Sequence, residues 1–371
     1  MKILAVSGDV GGARAVMPVL KKLFDEKTPF VISDNGFLGK EAPAEWPRAV
    51  LPDWSDRDSV KGLIEKEGVT LVIFTTSVKD AVPLGVARAA RNAGLPVICI
   101  LDNWMTYRKR MEVDGLETFL PDVYAMMDEL AFEEAVADGL PPSILKVTGQ
   151  PALASIAESY RSMRREDYAD KLRSCGIMKD KQLIVFISEP AEKDQGAGPS
   201  STNFRGYTEK TVLRQLCACL QPYSGRIQIG IAPHPREDQE ELSRSWEAYR
   251  GGLTGGILKN TSGRESVFLA DGVAGMASIL LYEAYLVGKP SISLQPGLRL
   301  PQLAFMKKKK GCRFLDDPGS WKEYVDGWIA DVRKAPGAHK IDPELEFHLK
   351  ASDRIIRTIK DSMKLIKKKG A

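Results

Sequence analysis

Along most of the chain, short unbroken apolar runs alternate with stretches in which apolar residues recur every three or four positions. "KILAVSG", "TPFVISD", "VTLVIFTT" and "VICILDN" are of the first kind, and "ARAVMPVLKKLFDE", "DSVKGLIEKEG" and "AVPLGVARAARNAGLP" of the second. The runs predict buried strands and the spaced stretches predict helices. Strands apolar on both faces and separated by helices predict a parallel sheet covered on both sides. "DVYAMMDELAFEEAVADG" and "ILKVTGQP" close this half, and Pro151 after the Gly149 turn marks its boundary, giving a first doubly wound domain over residues 1–150.

"ALASIAESYRSMRREDYADKLRSCG" is a helical connection into a second alternation. There "QLIVFISEP", "RIQIGIAPHP", "GGILKN", "GVAG" and "SISLQPG" read as strands, with helices between them, and residues 151–342 form the second domain. Residues 343–371 are a final helix, amphipathic through Ile355, Ile359, Met363 and Ile366. The Gly/Ser/Pro-rich segment from Glu192 to Gly206 reads as a mobile loop. The expected fold class is α/β, two Rossmann-like doubly wound domains facing a central cleft. Ligands of such sheets bind outside the carboxyl ends of the strands.

Composition fits this picture. A chain of 371 residues exceeds the usual size of one core, and 43% hydrophobic with 27% charged residues is ordinary for a globular enzyme. No apolar stretch is long enough to span a bilayer and no signal-peptide pattern opens the chain, so a cytoplasmic location is expected. Five cysteines, Cys99, Cys175, Cys217, Cys219 and Cys312, make neither an even framework nor a CxxC pair, and free thiols are expected. A net charge of +4 is too small to argue for nucleic acid. Lys307–Lys310 and Lys364–Lys369 concentrate cations; they read first as solvated surface and second as a peripheral contact with an anionic membrane face.

The chemistry is most legible in "GVAGMASILLYEAYLVGKPSISLQP", Gly272 to Pro296. Gly275, Met276, Ala277 and Ser278 bring backbone N–H groups to a helix N-terminus, which favours a phosphate. Glu283 stands in an otherwise apolar helix, where a carboxylate is costly without a hydrogen-bond partner. A ligand's ribose hydroxyls are one candidate for that partner; a nearby Lys or Arg, with Ser278 merely an N-cap, is the other.

This segment resembles the nucleotide-binding segment of GT-B glycosyltransferases and their relatives, the UDP-N-acetylglucosamine 2-epimerases, in which a small-residue turn, a helix Glu and a Gly-Lys-Pro strand entry recur. The resemblance implies a nucleotide-sugar pocket in the second domain, with phosphate on residues 275–278, ribose on Glu283, and a final helix that crosses back to the first domain.

Other strand ends supply further candidates. His234 in "APHPRED" ends a strong strand pattern with its backbone restricted by prolines, and is a candidate to stabilise developing phosphate charge. Its His-Pro pair is similar to that of bacterial sialyltransferases and of polyol-phosphate transferases. A structural histidine is the alternative. Ser188 and Glu189 in "ISEP" are candidates for donor phosphate or sugar, or for a simple turn. In "SGDVGGARA" the glycines match neither GxGxxG nor the Walker pattern, so no dinucleotide or ATP site is expected; a backbone approach to substrate and a polar contact through Asp9 are. Asp102 in "ILDNWMTYRKRM" is the preferred general base, followed by an aromatic and basic cluster, Trp104, Tyr107, Arg108 and Arg110, suited to a sugar. Asp9 is the reserve base, and a capping Asp102 before a surface helix is the alternative. No metal-ligand spacing occurs, so neither a metal nor a cofactor is expected beyond the nucleotide-sugar donor.

The leading expectation is therefore a metal-independent glycosyltransferase that moves sugar from a nucleotide donor to a carbohydrate or lipid-linked acceptor in surface polysaccharide or glycolipid synthesis. A nucleotide-sugar 2-epimerase or hydrolase comes second, since a His-Arg-Arg-Glu-Asn-like segment expected of the epimerases is missing. A non-catalytic nucleotide-sugar binder is third.

Overall fold

The structure, a computed structural model, describes residues 2–112, 117–309, 311–334 and 342–369. The chain divides into two compact units, Met1–Ser155 together with Glu344–Ala371, and Ile156–Pro343.

In the first unit seven strands form one parallel sheet: β1 Ile3–Val6, β2 Phe30–Ser33, β3 Arg48–Ala49, β4 Leu71–Phe74, β5 Val97–Ile100, β6 Val123–Met126 and β7 Leu145–Val147. Their order is β3-β2-β1-β4-β5-β6-β7. β1, β2, β4 and β5 are buried at every position, which is why they read as unbroken apolar runs. The helix Val10–Asp25 buries Ala13, Val16, Val19, Leu20 and Leu23, the spacing of a helix with one face in the core. Against it lies the terminal helix Ala351–Lys369, whose Ile355, Ile356 and Ile359 join the same core. The chain thus returns to its first unit, in two helices rather than one: Pro343–Leu349 precedes it. His348, in the first of these two helices, is fully buried, and its Nδ1 accepts from the Gln150 N–H at 3.1 Å.

The second unit is a six-stranded parallel sheet of β8 Gln182–Ile187, β9 Ile227–Ala232, β10 Thr254–Ile257, β11 Gly272–Gly275, β12 Ser291–Leu294 and β13 Arg313–Leu315. The order is β10-β9-β8-β11-β12-β13. Its core is built on Ile184, Phe186, Ile229, Ile231, Leu213, Leu216, Trp246 and Trp328. The Gly-Lys-Pro before β12 has a structural cause. Lys289 is buried, and its ammonium donates to the carbonyls of Phe268 (2.7 Å) and Ala270 at the end of the helix Gly263–Leu269.

Both units are doubly wound, as expected of the GT-B-type architecture. No helix among the described residues is long and apolar enough to cross a membrane. Of the lysine clusters, Lys307 pairs with Asp316 and Lys364 with Asp361. Lys310 and the side chains of residues 365–369, Ile366 included, lie outside the described residues.

Candidate functional site

Each sheet reverses its strand order once, between β1 and β4 and between β8 and β11, and open α/β sheets take their ligands at such reversals. In both units a carboxylate reaches across the reversal.

In the second unit, Ser188 and Glu189 leave β8 while Met276, Ala277 and Ser278 leave β11. Glu189 Oε1 accepts from the Ala277 N–H at 2.7 Å, and its Oε2 accepts from Arg205 Nη1 at 2.7 Å. The backbone donor expected to hold phosphate therefore holds an internal carboxylate. Ser278 is the N-cap of the helix Ile279–Leu286, its Oγ accepting from the Leu280 N–H at 3.3 Å. Met276 is fully buried, and its carbonyl accepts from Ser293 Oγ (2.6 Å) and Gln295 Nε2 (3.1 Å), so it anchors the turn. A Cβ on Gly275 would lie 3.1 Å from the Ile187 carbonyl, so the small residue serves strand packing.

Ser188 Oγ donates to Glu237 Oε1 at 2.6 Å, and the other oxygen of Glu237 accepts from the His234 N–H at 2.6 Å. Burial pushes the Glu237 carboxyl up, against the opposing effect of these bonds. His234 is half-buried, and burial together with the Arg236 charge pulls its pKa down. Its Nδ1 accepts from the Arg236 N–H at 3.2 Å, so in the neutral ring Nε2 carries the proton. The segment read as mobile is tied to this turn. Arg236 forms a bidentate pair with Asp194 at 2.6 Å for each contact, and Arg205 also donates to Gln195.

Glu283 lies apart from this turn, along the helix. It is 5% exposed, and both its oxygens accept from Arg264, at 3.0 and 3.2 Å. Of the two candidate partners, the internal arginine is the one present, and the ribose is not needed to explain the buried carboxylate.

The first unit gathers three acids. The turn Gly8–Gly12 after β1 runs beside side chains from β4 and β5. A Cβ on Gly8 would fall 2.1 Å from Asp80 Oδ2, one on Gly11 2.5 Å from Asp102 Oδ2, and one on Gly12 2.1 Å from Thr75 Oγ1. The glycines expected to admit a substrate thus first admit the protein's own polar groups. Asp80 Oδ2 is buried without a hydrogen-bond partner among the described residues. Burial, then the Asp9 charge, pushes the Asp80 pKa up to about 6, although the N–H groups of Gly8, Val82 and Asp9 act against the shift.

Asp102 Oδ1 accepts from Arg110 Nη1 at 2.5 Å. Arg110 is 4% exposed and also donates to the carbonyls of Thr76 (2.9 Å) and Met105 (3.0 Å). Burial alone would lower its pKa; the charge and hydrogen bond of Asp102, together with Tyr124 and Cys99, outweigh this and raise it. The aromatic cluster after Asp102 is core: Trp104 and Tyr107 are buried, with the Trp104 indole on Asp128 and the Tyr107 hydroxyl on Glu134 at 2.5 Å. Neither ring face is free for a sugar. Asp80 escaped the sequence reading although "TTSVKD" carries the signal used for Asp102, an acid just past a buried strand.

No family model matches the chain, and no curated protein does. Solved structures do. The chain shares the fold of the UDP-N-acetylglucosamine 2-epimerases. The Neisseria meningitidis enzyme, bound to UDP-GlcNAc, superposes with a TM-score of 0.68 at 12% identity, over 97% of this chain and 100% of that one. The Methanocaldococcus jannaschii enzyme gives 0.65 at 12%, over 97% and 99%. The Anabaena protein Alr3699/HepE, in complex with UDP and glucose, gives 0.64 at 15%, over 98% and 99%. The glycosyltransferase expectation is corrected by this result: the structures that match over the full chain include several 2-epimerases, the class the sequence reading placed second.

Proposed function

We propose that this chain acts on a nucleotide-activated sugar as a 2-epimerase. The observation that carries the reading is Asp80. Inverting a carbon that bears hydrogen requires breaking the C–H bond by a base and returning a proton to the other face by an acid. A carboxyl with a pKa of about 6 serves either role near neutral pH. Asp9, on the Gly8–Gly12 turn, and Asp102, beside it, are further acids there. The second unit carries donors of the kind that suit phosphate, His234 and, both held by the Glu189 carboxylate, Arg205 and the Ala277 N–H. The full-length likeness to enzymes of UDP-GlcNAc supports the choice of substrate.

The test is incubation with UDP-GlcNAc in D2O, with deuterium at C2 followed by NMR. Incorporation that is lost in Asp80→Asn is the expected result. Absence of exchange with both UDP-GlcNAc and its C2 epimer overturns the reading.

A further inference from the structure

Trp54 differs from the other five tryptophans of this chain. Trp46, Trp104, Trp246, Trp321 and Trp328 are all buried, whereas Trp54 is half-buried, on the loop between β3 and the helix Arg57–Glu67. The loop is fixed on both sides of it. The Leu51 N–H donates to Asp34 Oδ1 at 3.0 Å, Asp53 Oδ1 accepts from the N–H and hydroxyl of Ser55 at 2.9 and 2.8 Å, and Asp56 caps the following helix. One face of the indole lies on Gly85, in the first turn of the helix Val82–Asn92. A Cβ at residue 85 would sit 2.2 Å from Trp54 Cε3, so only a glycine admits the ring there.

That helix begins two residues after Asp80, whose carboxyl the Val82 N–H faces. The indole is therefore held on the first turn of the helix that follows the group that carries the proposed chemistry. The neighbouring loops at the same carboxyl edge of the sheet also expose apolar side chains: Val50 after β3 is 78% exposed, Val78 after β4 is 51% and Val10 after β1 is 43%. Single exposed apolar residues are ordinary, but several after strands of one sheet edge, together with a preorganised aromatic ring on a loop of that edge, suit a binding surface. An indole face suits the C–H face of a pyranose, with hydroxyls left at the ring's edge for polar partners.

We propose that Trp54 is the platform on which the sugar ring of the nucleotide sugar stacks, a specificity residue for the reaction proposed above, on which this inference rests. It binds ground state and transition state alike, so its loss acts on KM and leaves kcat nearly intact.

The experiment compares the full chain with Trp54→Leu and Trp54→Phe, using UDP-GlcNAc and UDP as probes. Acrylamide quenching of tryptophan fluorescence reads Trp54 directly, because the other five are buried. UDP-GlcNAc is expected to shield the wild-type fluorescence and UDP alone is not, and the shielding disappears in Trp54→Phe. In the C2 exchange assay Trp54→Leu is expected to raise KM by about tenfold with kcat within about twofold, and Trp54→Phe recovers part of the loss. Exchange by the wild type with an unchanged KM in Trp54→Leu overturns the platform and leaves the epimerase reading standing. Shielding by UDP-GlcNAc without exchange supports the platform and removes the reaction. Neither shielding nor exchange overturns both.

Discussion

Arg264 grips both oxygens of Glu283, Nε to Oε2 at 3.0 Å and Nη2 to Oε1 at 3.2 Å. The pair joins the helix Gly263–Leu269 to the helix Ile279–Leu286 and leaves the Glu283 side chain 6% and the Arg264 side chain 20% exposed. Removing one partner of such a pair strands the other charge. Glu283→Ala is expected to cost about 2–3 kcal/mol in urea unfolding, at the low end for a buried pair because Arg264 keeps some water contact. If stability is unchanged and only UDP affinity falls, Glu283 is a ligand contact and the structural role is wrong.

Glu189 gives a prediction whose sign separates two roles. Its carboxylate stands on the Ala277 N–H and on Arg205, where a phosphate would find its donors. Glu189→Gln removes a negative charge from that position and frees Arg205. UDP affinity measured by calorimetry is expected to rise by roughly tenfold, the scale of one like-charge contact at intermediate dielectric. A fall in affinity would restore Glu189 to the ligand-binding role that the sequence suggested.

Asp80 makes both activity and stability depend on pH. Its carboxyl titrates near 6 in the native protein and near 3.8 in the unfolded chain. Between these values the native state holds a proton that the unfolded state has lost, so this group's contribution to stability falls as pH rises through the window. Asp80→Asn is expected to gain stability relative to wild type from pH 4 to pH 6, and to keep that gain above pH 6. Paired denaturation curves at pH 4, 5, 6 and 7.5 measure it. A constant difference across the series would mean that the native pKa is not raised.

The sequence made the architecture legible because the central strands of both sheets are buried on both faces, so that β1, β4, β8 and β9 stand out as apolar runs without any knowledge of their neighbours. What could not be read was partnership over distance. Glu189 and Ala277 lie 88 residues apart, and Arg110 meets the Thr76 carbonyl across 34. Such contacts depend on strand order, which periodicity does not encode. Trp104 and Tyr107 misled for the same reason. An aromatic cluster beside a strand-end acid looks the same in sequence whether its rings face a ligand or, as here, Asp128 and Glu134. The Gly8–Gly12 turn was expected to let the backbone approach a substrate; the groups it closes on, Asp80, Asp102 and Thr75, come from the segments after other strands.

Lys289 allows a last test, of the Gly-Lys-Pro segment as scaffold. Burial pulls its pKa down to about 8, with the Asp271 charge opposing and the Arg165 charge assisting. Between pH 8 and pH 10.5 the unfolded chain binds a proton that the native state has released, so stability rises with pH across that window. Lys289→Met abolishes the titration and also leaves the Phe268 and Ala270 carbonyls without their donor. The variant is therefore expected to be less stable than wild type at pH 8, with the gap widening toward pH 10.5, while all other groups cancel in the comparison. A gap that narrows with pH would show that the protonated ammonium, and not the burial of its charge, dominates at this position.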